Sequence, residues 1–477
     1  MTRENETIGY ADAVQQAARR MSPRARRLAQ LESWVDGTQY AGLADWFEDV
    51  PIGEKAPCIV DPIVADAIES HVDMVLGEGR FPALTTRPGD DEAPEDDAED
   101  AGALSEEDSE RLDRVLEAVV EQSRFPAVCR EALGMAMGCG SVGTIYGARA
   151  GRLFGDTVKA RWCEPEFLAD GRTVRQLVIQ YPYVEVYVDP TGTWRARARI
   201  FRRVIDEQAD TTFLPAEVND PKPRWVVDTA ATVAHGLGFC PVVWYPFFRG
   251  CSIAGQIDGR APHGNPLGMI QAHDVALSQR HRAAVYAGDP QWTECGVEKG
   301  ANPSSGGRVN PLPITQRGGL PASDNPVVGR IIEESNQTTG RKKHPGAVWQ
   351  YEDKDVKVKL HTLDGAALDA VSKHAQDIRL KLMQALAYVP LDPESANVVR
   401  GTLSGKALDT LRQRQLNRDD RIRDDFGDGF IRPSVSMLLR IANAKRDGLR
   451  VRGLTRAAGV LARFEVADPA EVSRAVA

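Results

Sequence analysis

The sequence predicts an α+β fold, largely helical, and three observations carry that reading. Along residues 363–388 apolar side chains recur at alternating steps of three and four, the seam of a helix packed lengthwise on other helices. Within 144–204, two β-rich runs, 177–188 and 193–204, flank Asp189, Pro190, Thr191 and Gly192, residues suited to a tight turn, so the stretch reads as a hairpin. At 477 residues the chain is longer than one ordinary core, and several packing units are expected.

Residues 8–35 place Tyr10, Val14, Ala17, Ala18, Leu28, Leu31 and Trp34 at helical steps, an amphipathic start. After a Gly-punctuated, aromatic turn at 34–40, Asp61 and Pro62 open a second helix that Gly77 and Gly79 stop. The run 89–110 is densely acidic with Pro, Ala and Gly between, too polar to order itself. It reads as a solvated excursion or as an acidic arm for a basic partner. Ser105 with Asp108 then looks like the cap of a helix carrying Leu112, Leu116, Val119 and Val120.

Residues 242–245 (VVWY) form a further buried strand, so the middle third is an α+β unit. Residues 266–286 and 363–388 are two helical rods. Between them, 291–362 is a small β-containing insertion with a Gly/Pro/Ser/Asn-rich stretch at 300–326. On the second rod Leu368, Val371, Ala375, Ile378, Leu382, Ala385 and Val389 make the packing seam, while Lys373, Asp377, Lys381 and Gln384 share the face away from it. Asp392, Pro393, Glu394, Asn397 and Arg400 continue neither neighbouring helix, so 390–403 is a loop. Ser404 caps a third helix reaching Gly427 and Gly429, and helical material resumes at 433–444.

Composition excludes several classes. With 42% hydrophobic and 27% charged residues the chain is neither disordered nor fibrous. It has no long apolar run and its amino-terminal residues are polar, so neither a membrane span nor a secretory signal is expected. The seven cysteines are scattered and form no C-x-x-C pair, which argues for reduced, mostly buried thiols over a zinc ribbon or disulfide framework. A net charge of -9 gives no support to binding DNA by phosphate neutralisation.

The chemical motifs fail on inspection. Residues 138–143 (GCGSVG) match the dinucleotide fingerprint but lie between a helix and a strand, the reverse of the required order, and read as a flexible helix-to-strand turn. Residues 401–407 (GTLSGKA) have the two glycines of a phosphate loop one residue too close and Ala407 after Lys406. His273, His281, His361 and His374 keep no metal spacing and read as solvated or bundle-packed. No G-x-S-x-G and no acidic pair stands out, so neither a catalytic site nor a cofactor site is expected.

The element order is similar to that of the portal proteins of tailed bacteriophages, and local sequence agrees at 34–40 (WVDGTQY), 235–245 (HGLGFCPVVWY), 264–279 (GNPLGMIQAHDVALSQ), 287–290 (AGDP) and 404–408 (SGKAL). The resemblance covers roughly residues 25–445. It implies a phage portal-like multidomain ring subunit: a wing at 1–260 carrying the acidic insertion 89–110, a stem helix at 261–290, a clip at 291–362, a second stem helix at 363–389, a tunnel loop at 390–403, wing and crown helices at 404–445, and a C-terminal tail or reduced crown at 446–477. The acidic insertion and the short tail depart from the family pattern.

By this resemblance the chain would form a twelve-subunit ring at one capsid vertex, the channel for DNA packaging and ejection. Its partners would be further copies of itself, the terminase large subunit, scaffolding and major capsid proteins, a head-completion adaptor, and double-stranded DNA passing without sequence specificity; no membrane is involved. It would be made in the host bacterial cytoplasm and reside in the virion. Asp392, Glu394, Asn397 and Arg400 would face DNA from the tunnel loop, and the mixed charges of Lys373, Asp377, Lys381 and Gln384 suit a channel face that passes DNA without gripping it. The rivals are another head-tail connector or minor capsid protein, and a hydrolase or nuclease with a dispersed site.

Overall fold

Serine and proline set the first helix boundary. The Ser22 hydroxyl accepts from the Ala25 amide at 3.1 Å and Pro23 opens α1, Pro23–Val35, whose buried positions include Ala25 and Leu28. The single amphipathic helix expected at 8–35 is therefore interrupted: Ala13 and Ala17 are helical, but Arg20 to Ser22 form a turn before α1. The computed structural model describes residues 13, 16–17, 19–44, 55–77, 81–82, 84, 106–189, 192–220, 223–248, 257–288, 291–295, 357–361, 365–389, 405–445 and 449. Most of the acidic run at 89–110, the whole 390–403 loop and the tail from 450 lie outside these residues.

Two compact units divide the chain, one made of 1–43, 62–268 and 381–477, the other of 44–61 and 269–380. The larger contains α2 (Ile63–Leu76), α3 (Glu106–Ser123) and α4 (Phe125–Cys139). α2 starts after Pro62 and stops at Gly77. α3 begins inside the acidic run, whose last five residues, 106–110, are thus helix and not excursion. Its apolar stripe, Leu112, Val115, Leu116 and Val119, is at most 1% exposed.

The strands of this unit form two antiparallel sheets. β1 (Ser141–Arg149) lies between β2 (Arg152–Lys159) and β8 (Val242–Pro246). The second sheet runs β3 (Cys163–Phe167), β4 (Val174–Val188), β5 (Trp194–Ile205), β6 (Ala209–Glu217) and β7 (Val233–Ala234), each paired with the next. Leu28, Ile145, Leu177, Ile179, Ile205, Val242 and Trp244 share one core between these elements. The architecture is thus α+β with antiparallel sheets.

β4 and β5 outreach their neighbours. β3 pairs with β4 only up to Ile179, and β6 pairs with β5 only from Arg199 on, so 184–188 and 194–198 form a two-stranded arm. At its tip the Asp189 carboxylate accepts from the Thr193 amide at 3.0 Å, and Gly192 sits at φ 84°, a left-handed value that favours glycine. On one face Val184, Ala196 and Ala198 pack with Ala13 and Ala17, whereas Val186, Val188 and Trp194 further out are exposed. On the other face Glu185 pairs with Arg197 and Arg199.

The larger unit closes with α7 (Gly405–Phe426), a π-helical turn at Gly427–Ile431 and α8 (Arg432–Ala444). Phe426 and Phe430 stack at 4.8 Å, and both meet the ring of Tyr245 from β8, at 5.2 and 6.0 Å. Gly429 is required there, since a Cβ would fall 2.9 Å from that ring.

The smaller unit contains α5 (Leu267–Gly288) from residue 269, an antiparallel ribbon of β9 (Gln291–Cys295) and β10 (Lys357–His361), and α6 (Gly365–Leu386) up to residue 380. The segment 55–61, placed in the wing by the sequence reading, belongs here and is tied to α5. Ser278 Oγ accepts from the Ile59 amide at 3.1 Å and the Asp274 carboxylate from the Asp61 amide at 3.0 Å.

Candidate functional site

Helix α6 carries the residues singled out in the sequence, and its side chains fall into two groups. Lys373, Asp377, Lys381 and Gln384 are all exposed. Of the seam, Ala375 and Leu382 are buried, Val371 and Ile378 are half-buried, and the side chain of Leu368 is outside the described residues. Ala385 departs from the expected seam and is exposed. The buried positions at this end are Leu382, Met383 and Leu386, because the last turn is held between α2 and α7. Asp392, Glu394, Asn397 and Arg400 lie outside the described residues.

The way α6 ends was not anticipated. Ala387 adopts φ 50°, turning the chain out of the helix, and Ala387, Tyr388 and Val389 are buried. The open carbonyls of the last turn find donors on other helices. Arg418 of α7 donates to the Leu386 carbonyl at 3.3 Å, and His71 of α2 places Nε2 at 3.1 Å from the same oxygen. The other ring nitrogen of His71 lies 2.5 Å from Asp419 Oδ1. Beside this pair, Gln415 bridges two elements: its Oε1 accepts from the Val389 amide at 3.0 Å and its Nε2 donates to Ser70 Oγ at 3.2 Å. His71, Ser70, Gln415 and Asp419 are all buried. Burial holds the Arg418 guanidinium below its usual range, and the Asp419 carboxylate opposes that shift.

No family model matches the chain, and no curated protein matches it. The site must be read from its own chemistry.

The remaining motifs are structural where they are described. At 138–143, α4 runs into β1 through Gly140 at φ 95°, and the turn is built, not flexible: the Gly140 carbonyl accepts from the amides of Phe247 at 2.9 Å and Gly259 at 3.1 Å, and a Cβ would stand 2.8 Å from the Gly259 oxygen. Cys129, Cys139, Cys163 and Cys240 are buried and Cys58 is exposed. Burial pushes the thiols of Cys139, Cys163 and Cys240 up to about 12, so they stay protonated and unreactive.

His273 is buried beside Asp61 at 3.6 Å, while His281 and His374 are exposed. Among the described residues no group of three or more His, Cys, Asp or Glu could hold a metal ion, and no helix is long and apolar enough to cross a membrane.

Proposed function

We propose that this chain is a portal ring subunit of a tailed bacteriophage, the channel for packaging and ejecting DNA at one capsid vertex. The observation that carries the reading is the helix, ribbon, helix order of the smaller unit. α5 and α6 are each 22 residues long, about 33 Å of rod at 1.5 Å per residue. Between them β9 pairs antiparallel with β10, which sets Cys295 opposite Lys357, as the base of a clip on a two-helix stem would.

Further support comes from α6. Lys373, Asp377, Lys381 and Gln384 form an exposed face of both charge signs, suited to a polyanion that slides past. Half-buried Val371 and Ile378 leave apolar surface for a neighbouring helix, and head-to-tail copies that close a ring supply one. In this reading the protein is a virion component without cofactor or enzymatic activity. It works with the terminase large subunit, scaffolding and major capsid proteins and a head-completion adaptor.

Electron microscopy of the purified protein tests the proposal: closed rings with a central hole are expected. Only monomers and dimers across salt conditions, or ATP hydrolysis or DNA cleavage lost in a point variant, would overturn it. Deleting 394–400 should leave rings intact and lower the DNA retained in assembled heads.

A further inference from the structure

Large apolar side chains are exposed in two places on the five-stranded sheet. Of the ten such side chains among the described residues, seven fall in two patches there. One is the outer part of the β4–β5 arm, where Val186, Val188 and Trp194 share a face and Trp194 is 73% exposed. The other runs along the far side of β6: Leu214, Val226, Val227 and Val233. There the Leu214 amide donates to the Val226 carbonyl at 2.8 Å, Val227 bridges to Phe213, and Val233 pairs with Asp210.

The two patches cannot meet within one chain. Phe213 and Ala216 stand opposite Arg202 and Ile200, so Leu214 is six to eight residues along β5 from Trp194, about 20–26 Å at 3.3 Å per residue. One continuous strand holds them apart. We propose that the arm docks on a second copy of this chain, the face of Val186, Val188 and Trp194 lying against the β6 patch of Leu214, Val226, Val227 and Val233. That successive copies close into a ring rests on the portal reading; the contact itself needs only a second copy.

Charge and area favour this occupant. On the arm, Glu185 is paired with Arg197 and Arg199 on the opposite face, and Asp189 with Arg195. Beside the other patch, Arg203 pairs with Asp210, and Arg202 lies over the rings of Phe213 and Trp225. Each patch is thus apolar with its neighbouring charges already paired, the make-up of an interface core and unsuited to a polyanion. Three or four side chains fall short of the about 800 Å² per partner that a stable pair buries. A copy within a head-to-tail series uses both patches, one on each neighbour, and so doubles its buried area. Because the patches differ, the contact is heterologous, the kind that generates rings or filaments.

Photo-cross-linking in the full chain tests this. Trp194→p-benzoylphenylalanine keeps an aromatic ring at the arm tip, and mixing isotope-labelled with unlabelled copies tells contacts between chains from contacts within one. Mass spectrometry should find the cross-link between chains, on residues 214 or 226–233. In parallel, Val188→Ser with Trp194→Ser should raise the protein concentration needed for half-assembly about ten-fold or more. The dissociated chain should keep its thermal midpoint, because both side chains are exposed. Cross-links within one chain, including to residues 1–12, cross-links to another region of the second copy, or unchanged assembly of the double variant would overturn the docking. Rings without the expected cross-link would sink the docking and leave the portal reading standing. The expected cross-link in open filaments would do the reverse, and a chain that stays monomeric would remove both.

Discussion

The phenol of Tyr245 donates to the Asp425 carboxylate at 2.5 Å, although 180 residues separate them in the chain. The same Oδ2 accepts from the Phe248 amide at 3.2 Å, so one carboxylate fixes the end of β8 against the end of α7. Burial and the neighbouring carboxylate both push the phenol far above its ordinary range. Tyr245→Phe should therefore cost about 1.5–3 kcal/mol, the range for a bond to a charged group. Asp425→Asn should cost less when combined with Tyr245→Phe than in wild type, a non-additivity that denaturant unfolding of the four proteins would measure.

His263 sets an acid limit. Burial pulls its imidazole down to about 4, so the folded chain keeps it neutral where the unfolded chain would protonate it. The associated stability is complete above about pH 6.5 and is lost as pH falls from there through about 4, on the order of 3 kcal/mol at most. His263→Gln, which can still donate to Leu31, should flatten that part of the stability profile. An unchanged slope between about pH 6.5 and about 4 would assign the acid sensitivity elsewhere.

Gly140 tolerates no side chain. Gly140→Ala combines a left-handed φ of 95° with a Cβ 2.8 Å from a backbone oxygen, and a loss of about 2 kcal/mol or more is expected. Thermal unfolding would read it, and a shift within error would mean the α4–β1 turn relaxes freely.

Two substitutions on α6 separate folding of the chain from the proposed ring assembly. Leu382 is fully buried within one chain, so Leu382→Asp should cost about 3–5 kcal/mol by placing an unpaired charge in the core. Ile378 is half-buried, and Ile378→Asp should spare most of the subunit's stability while weakening ring formation in native mass spectrometry. Equal effects of the two on folding would show that Ile378 belongs to the subunit core.

The legible parts of the fold had local causes. Pro62 and Gly77 bracket α2, the three-four alternation marks α6, and Asp189 with Gly192 mark the β4–β5 turn. The break before α1 had a signal too, Ser22 followed by Pro23, but the helical spacing on both sides masked it. β6 went unread because Asp210, Pro215 and Glu217 depress strand propensity, and β6 has only the two-residue β7 beyond it, where such residues are tolerated.

At the candidate site, the exposed face of α6 follows from spacing alone. The His71–Asp419 contact does not: His71 interrupts the apolar stripe of Ile68, Val72 and Val75, which flags a buried polar group, but its partner 348 residues away has no mark in sequence.

The larger unit draws on three separated stretches of chain, 1–43, 62–268 and 381–477. On the ribosome, β8 emerges with Tyr245 before Phe426 and Phe430, which pack against it, and residues 269–380 of the smaller unit are made in between. Synthesis thus leaves an aromatic surface waiting for its cover for at least as long as that stretch takes to translate. A nascent chain arrested before residue 426 should bind chaperones that the released protein no longer attracts.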